Sequence, residues 1–218
     1  MSSSPAGPPG DAALPLVPSG GTPVGVAAFD FDGTLIRGDS LVPFLARAVG
    51  ARHFARVVLV SSSASARAYR RNGRDGSKAV LVGRLLQGYP AAQLDALGAS
   101  YGEQLATRIR PRMAERVLWH RRQGHRLVMV SASFELYLVP LGRVLGFDAV
   151  LATGLDVGPD GRLTGRLKGV NVRGPEKAVR LRHWLSAEFR ERPYQLWAYG
   201  DSAGDRELLA MADHPVRV

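Results

Sequence analysis

Two aspartates, Asp30 and Asp32, stand two residues apart where an apolar run, Val26 to Phe29, gives way to Gly33, Thr34 and Leu35. Side chains two apart on a strand point the same way, so the two carboxylates emerge together. If the run is a strand of an open α/β sheet, they emerge at its carboxyl end, where such sheets bind their ligands. A carboxylate pair there can share a hard divalent cation. One member can attack phosphorus while the other moves a proton. An Asp-x-Asp by itself is weak; the buried strand before it and the Gly-Thr after it strengthen it. An acidic turn that binds nothing would leave two charges at the mouth of an apolar strand unexplained.

Three more clusters carry polar residues in strand-loop-helix settings. Ser131 follows Leu127–Val130, and its hydroxyl with the next backbone N–H groups, from Ala132 onward, can form an anion pocket before a helix. Read alone, Ser131 is more simply a cap for that helix. Lys177, in Arg173-Gly174-Pro175-Glu176-Lys177, falls in the first turn of a helix, where the helix dipole disfavours a cation. A lysine aimed at phosphate explains that position, and a solvated surface lysine is the competing account. Gly200-Asp201-Ser202-Ala203-Gly204-Asp205 follows Leu196–Tyr199. It offers a metal ligand, Asp201, and a residue that positions it, Asp205; an Asp-rich turn with a helix cap is the alternative.

The elements that must position these residues are legible in part. Gly25–Phe31 reads as a buried parallel strand, apolar on both faces. Residues 38–115 read mainly as helix, broken at Asn72-Gly73 and at Gly88-Tyr89-Pro90. Pro111 opens a helix that stops at Gly124. Arg126–Val130 is a second strand, Phe134–Leu145 a helix and Ala149–Ala152 a third strand. Gly158-Pro159-Asp160-Gly161 sits between alternating arms and signals a hairpin. Pro175–Arg190 is a helix, Gln195–Tyr199 a fourth strand, Asp205–Ala212 a helix, and a last strand starts at His214. Strands alternating with helices predict an α/β fold with a parallel sheet and right-handed crossovers. The helical stretch after the first strand is too long for a connection and reads as a small second domain above that strand's carboxyl end.

Composition sets bounds. The chain has 218 residues, suited to one domain with a sizeable insertion. It has no cysteine, which excludes disulfides, zinc-thiolate sites and a thiol nucleophile. The net charge is +10, and residues 37–115 hold thirteen Lys or Arg against five Asp or Glu. A basic surface beside an active site attracts anionic substrates. The longest apolar runs fall well short of the roughly 20 residues of a membrane span. Residues 1–23, rich in Ser, Pro and Gly, read as a disordered tail rather than a secretion signal, so a cytoplasmic location is expected. The five histidines lack zinc-ligand spacing, and His120–Arg126 reads as a basic helix end.

Taken together, the Asp30-Phe31-Asp32-Gly33-Thr34 motif, Ser131, Lys177 and the Gly200–Asp205 motif resemble those of the haloacid-dehalogenase-like phosphohydrolases. The chain looks most like the branch whose helical cap follows the first motif. That branch includes phosphoserine phosphatases and phosphatases of histidinol phosphate or phosphatidylglycerophosphate. The resemblance implies a Rossmann-like core with a parallel sheet, residues 24–36 and 112–218, and a mainly helical cap, residues 37–111. It implies that Asp30 is the nucleophile that forms an aspartyl-phosphate and that Asp32 protonates the leaving alcohol and then activates water. Thr34, Ser131, Ala132 and Lys177 would hold the phosphoryl group. Mg²⁺ would be bound by Asp30, the Asp32 carbonyl and Asp201, with Asp205 in support. The second acid, Asp32, favours phosphate-ester hydrolysis over carbon–halogen cleavage.

The cap selects the substrate. Phosphoserine phosphatases carry a Glu nine residues after the nucleophile to bind the substrate amine; here that position is Asp39. Arg74, Lys78 and Arg84 are candidates for the cap cation that binds the substrate carboxylate. Gly204 and Ala132 depart from the phosphoserine phosphatase pattern. The expected substrate is a small phosphorylated metabolite, phosphoserine-like or another amino-alcohol phosphate. Nucleic acid is not the expected partner. A lipid-phosphate phosphatase docked by its basic cap on a membrane is an alternative, as is a non-catalytic phosphate-binding protein.

Overall fold

A computed structural model describes residues 23–190 and 192–218; all but the last residue of the expected N-terminal tail lies outside the described residues. A six-stranded sheet organises the chain. Strand β1, Val24–Phe29, occupies the middle, paired in parallel with β2, Arg126–Phe134, on one side and β5, Tyr194–Gly200, on the other. Beyond β2 lies β3, Ala149–Val157, parallel to it, and beyond β5 lies β6, His214–Arg217, also parallel. Strand β4, Leu163–Lys168, closes the β3 edge as the antiparallel arm of the hairpin expected around Gly158–Gly161. The order is β4-β3-β2-β1-β5-β6.

Successive residues of the central strands feed two cores on opposite faces, as the period of two requires. Ala27, Phe29, Leu127, Met129, Trp197 and Tyr199 face one way. They pack beneath α4, Pro111–Arg122, and α5, Glu135–Leu145. Val26, Ala28, Val128, Val130, Leu196 and Ala198 face the other way, covered by α6, Pro175–Phe189, and α7, Arg206–Ala210. Because β1 is buried on both faces, its sequence is continuously apolar rather than alternating.

Between β1 and α4 run three helices: α1, Leu41–Val49; α2, Ala51–Leu86; and α3, Ala91–Ala106. Helix α2 is two arms across a reversal at Asn72 and Gly73, where Gly73 takes φ of 57°, a left-handed value that glycine adopts at no steric cost. The arms lie antiparallel: the Ser77 hydroxyl donates to the Ser65 carbonyl (3.1 Å) and Arg84 donates to the Ser61 hydroxyl (3.1 Å). Helix α3 packs on α5, α2 reaches β4, and Lys78 of α2 donates to the Ala132 carbonyl in the last stretch of β2, so the insertion meets the sheet at its carboxyl end.

Several boundaries differ from expectation. β1 stops at Phe29, and β2 and β3 run further than expected, through Phe134 and Val157. Helix α7 is short and is preceded by a 3₁₀ turn, Ala203–Asp205. The reading of His120–Arg126 as a basic helix end holds for exposed Arg121 and Arg122 but not for His120. Its ring is fully buried, with Nδ1 2.8 Å from His125 Nδ1 and Nε2 2.9 Å from the Tyr199 hydroxyl. Burial, with His125 and Arg116 nearby, pushes its pKa far down, so it is a neutral core residue.

Candidate active site

Every cluster singled out by its chemistry arrives at one place. Asp30 and Asp32 follow β1, Ser131 lies within the last stretch of β2, Lys177 opens α6, and Asp201 follows β5. These are neighbouring strand ends in the sheet order, so the topology alone brings the groups together.

Asp30 is 5% exposed, and its backbone N–H donates to the Tyr199 carbonyl (3.0 Å), which fixes it against β5. Its Oδ1 takes an ion pair from Lys177 Nζ, and its Oδ2 accepts from the Thr34 hydroxyl (3.2 Å). Lys177 also pairs with Asp205 Oδ1 at 2.5 Å. Asp205 is fully buried, and its other oxygen accepts from the Ser202 N–H (3.0 Å) and hydroxyl (2.8 Å). The account of Lys177 as a solvated surface residue fails: it is 4% exposed, and the carboxylates hold it at a helix start that repels cations.

The charges do not balance. Carboxylate oxygens of Asp30, Asp201 and Asp205 lie within 4.8 Å of one another, and the Lys177 ammonium pairs with two of them, Asp30 and Asp205. Burial pushes Asp30 above the ordinary carboxylate range; Lys177 works against that and Asp205 adds to it. Asp201 is also raised, by burial and by Asp205. Asp205 is held down, because Lys177 and the Ser202 bonds outweigh its burial. Burial alone would lower Lys177, but Asp30 and Asp205 hold its ammonium above the usual range. An excess of hard oxygen ligands over cation suits a divalent ion of the Mg²⁺ kind. Gly33 makes room for this cluster: at φ of 82°, a Cβ there would lie 2.2 Å from Asp201 Oδ2.

Asp32 lives in a different environment. Its Oδ1 accepts from the Ser40 N–H (2.8 Å), and its Oδ2 accepts from the hydroxyls of Ser40 (3.1 Å) and Ser133 (2.5 Å). The Ser40 hydroxyl also meets that of Tyr137 at 3.1 Å. Burial pushes Asp32 up to about 6, against the lowering effect of those hydroxyls. Two acids two residues apart therefore have separate partners: Asp30, pushed up to about 7, is tied to a lysine and a threonine hydroxyl, and Asp32, pushed up to about 6, to two serines.

A cleft of about 210 Å³ opens over both acids. Ser131, Ala132, Lys177 and Asp39 line it, as expected. Asp39 also spends one oxygen on the Val42 N–H (2.7 Å) at the start of α1. Of the three basic candidates in the insertion, Arg74 and Lys78 reach the cleft. Arg84 does not; its guanidinium turns back to Val60 and Ser61 on the other arm of α2. Sequence reading missed Ser40, Ser133, Asn171 and Arg173. Ser133 had no signal of its own, because Ser131-Ala132-Ser133 has the composition of a turn after a strand ending at Val130. Asn171 and Arg173 come from the loop between β4 and α6, and nothing in their spacing points to the site.

Comparison with known proteins agrees with the geometry. The family profile described as "haloacid dehalogenase-like hydrolase" matches residues 27–210. Protein CicA of Caulobacter vibrioides is 37% identical over 191 residues, covering 86% of this chain and 83% of that protein. Phosphoserine phosphatase SerB1 of Mycobacterium tuberculosis is 32% identical over 202 residues, covering 88% and 64%. A crystal structure of a protein of unknown function from Bordetella pertussis Tohama I superposes with a TM-score of 0.73 at 25% identity, covering 90% of each chain. With its motifs at successive strand ends and its profile match across most of the sheet, the chain belongs to the haloacid dehalogenase-like hydrolases.

Proposed function

We propose that the protein is a Mg²⁺-dependent phosphomonoesterase that hydrolyses a small phosphorylated metabolite through an aspartyl-phosphate. The observation that carries this reading is the split between the two acids. Asp30, oriented by Lys177 and Thr34, attacks phosphorus. The bond to the leaving oxygen breaks as Asp32 gives that oxygen a proton; a carboxyl with a pKa of about 6 can do this and then take a proton from water. The water attacks the aspartyl-phosphate, orthophosphate leaves, and Asp30 is regenerated. Lys177 and the Ser131 hydroxyl meet the charge that builds on the phosphoryl oxygens, while Thr34, fully buried and off the cleft lining, gives its hydroxyl to Asp30 instead of to the phosphoryl group. Asp30, the Asp32 carbonyl and Asp201 would hold Mg²⁺, which neutralises the repulsion between an anionic nucleophile and an anionic phosphate. Both Asp205 oxygens are engaged by Lys177 and Ser202, which suits support rather than ligation.

In this reading residues 37–111 form a cap over a core of residues 24–36 and 112–218. A small cleft bearing Arg74 and Asp39 fits a short leaving group with charges of both signs, such as that of a phosphoserine-like ester. The relative named phosphoserine phosphatase supports that class. A pure phosphate binder would have no use for Asp32. The deciding experiment is phosphate release from a panel of phosphorylated metabolites with Mg²⁺ or with EDTA. Release that requires Mg²⁺ is expected; equal release in EDTA would overturn the metal-dependent mechanism.

A second reading has its own observation. Between Asp39 and Asp75 there is no acid, and Arg52, Arg56, Arg67 and Arg70 project from one exposed face of α2. Leu59 and Val60 on the same arm are 75% and 66% exposed. Such a surface suits an anionic bilayer, where each basic residue near the surface contributes roughly 1 kcal/mol. It fits a lipid phosphate of the phosphatidylglycerophosphate kind as substrate. This reading predicts co-sedimentation with phosphatidylglycerol vesicles at low salt that is lost at high salt and in an Arg67→Glu/Arg70→Glu variant. No co-sedimentation at low salt would remove it. None of the helices among the described residues is long and apolar enough to cross a membrane, so such contact would be peripheral.

A further inference from the structure

Lys78 is 9% exposed, yet the two groups that receive its hydrogen bonds are neutral. Its Nζ donates to the Ala132 carbonyl (2.5 Å) and to Asn171 Oδ1 (2.6 Å), and it lies 4.9 Å from the centroid of the Phe134 ring. Asn171 in turn accepts from the Thr153 hydroxyl (2.9 Å) and donates to Asp75 Oδ1 (2.7 Å), three residues before Lys78 on the same helix. A lysine present only to balance charge would bond Asp75 directly. Here Asn171 stands between them and holds the ammonium on the Ala132 carbonyl. Burial pushes the Lys78 pKa down to about 8, with Asp75, Asp32 and Asp39 opposing the fall, so the contact is kept at a cost in solvation.

The Ala132 carbonyl shares a planar, trans peptide with the Ser133 N–H. Fixing one end of that peptide therefore aims the other end in the opposite direction. The Ser133 N–H donates to Ser131 Oγ at 3.1 Å. With a lone pair of Ser131 engaged in this way, its own O–H is left to donate elsewhere, and Ser131 lines the cleft above Asp30. We propose that Lys78 is a positioning residue: by holding the Ala132 carbonyl it sets the peptide that orients the Ser131 hydroxyl toward the phosphoryl group. The inference rests on the reading of Ser131 as a phosphoryl ligand. Because Lys78 comes from α2, the phosphate side of the site is aligned only while the helical insertion is seated on the sheet, which couples closure to chemistry.

The test compares Lys78→Met, Lys78→Gln, Ser131→Ala and the Lys78→Met/Ser131→Ala double variant. The assays are turnover of the best ester from the panel and inhibition by orthovanadate, a mimic of the five-coordinate phosphoryl group. Lys78→Met is expected to lower kcat about tenfold or more with KM nearly unchanged, and to weaken vanadate inhibition in proportion. Lys78→Gln, which keeps a donor, should recover part of both. The double variant should lose clearly less than the product of the single losses, because both substitutions disable one hydroxyl. Multiplying losses, a raised KM at constant kcat, or wild-type kcat and vanadate inhibition in Lys78→Met would each overturn the proposal. If Lys78→Met does not fold, Lys78→Gln alone and with Ser131→Ala carries the same comparison. Wild-type activity in Ser131→Ala would instead overturn the phosphoryl-ligand reading itself. A drop there beside a silent Lys78→Met would sink only the role of Lys78.

Discussion

Asp30→Asn is expected to lower phosphate release by about 10⁴-fold or more, the scale on which an enzyme loses its covalent nucleophile. The amide is nearly isosteric with the carboxylate, so the cleft keeps its shape, but the nitrogen and carbonyl oxygen of an amide do not attack phosphorus. The fold should survive. Lys177 loses one partner and keeps Asp205 at 2.5 Å, so no buried ammonium is stranded. Removing one carboxylate also relieves the excess of negative charge among Asp30, Asp201 and Asp205. Without Mg²⁺, the variant should therefore unfold at the wild-type temperature or slightly above it. With Mg²⁺, it should gain less than wild type, because a ligand oxygen has become neutral. Phosphate release and thermal unfolding with and without Mg²⁺ measure both effects. Wild-type turnover in Asp30→Asn would sink the aspartyl-phosphate mechanism, whatever the stability result.

Why so much of this site could be read in advance follows from where its residues lie. Asp30, Asp32 and Asp201 directly follow strands whose apolar runs are unmistakable, and a parallel sheet forces those ends together. Lys177 was marked by an electrostatic misfit, a cation in the first turn of α6, and the misfit is resolved by two buried carboxylates. The partners of Asp32 were harder to read. Ser40 and Ser133 are 93 positions apart, and their meeting on one carboxylate oxygen depends on how the insertion packs on β2. Asn171 joins α2 to β3 through side-chain bonds that no periodicity encodes.

The fold shows the same division. The reversal in α2 was legible because Asn72-Gly73 is a local signal. The extension of β2 to Phe134 was not, because Ser131-Ala132-Ser133 has the composition of a turn, and only pairing with β3 draws it into the sheet. His120 misled for a related reason. Beside two arginines at a helix end it reads as solvated, and only the tertiary stack of His125, Trp197 and Tyr199 reveals it as core.

Lys177→Met should be costly in two ways. Lys177 is 4% exposed, and its partners Asp30 and Asp205 are 5% and 0% exposed, so the substitution strands buried carboxylates without their cation. Breaking such a pair from one side typically costs about 3–5 kcal/mol. The sign of the pH dependence follows from the shifts. In the wild type, Asp205 is held below its ordinary value, so its contribution is present above about pH 4 and is lost as pH falls through its folded value. In the variant, Asp30 and Asp205 lose the cation that lowers them, and raised carboxyl pKa values lose stability as pH rises. The deficit should therefore be large at pH 7.5 and shrink toward pH 4.5. Mg²⁺ should reduce it at pH 7.5, since a divalent ion screens the same carboxylates, while turnover stays impaired for want of a donor to the phosphoryl oxygens. Denaturant unfolding at both pH values, with and without Mg²⁺, makes the measurement. A deficit independent of pH and of Mg²⁺ would mean that Lys177 contributes only packing, and the electrostatic account of the site would fall with it.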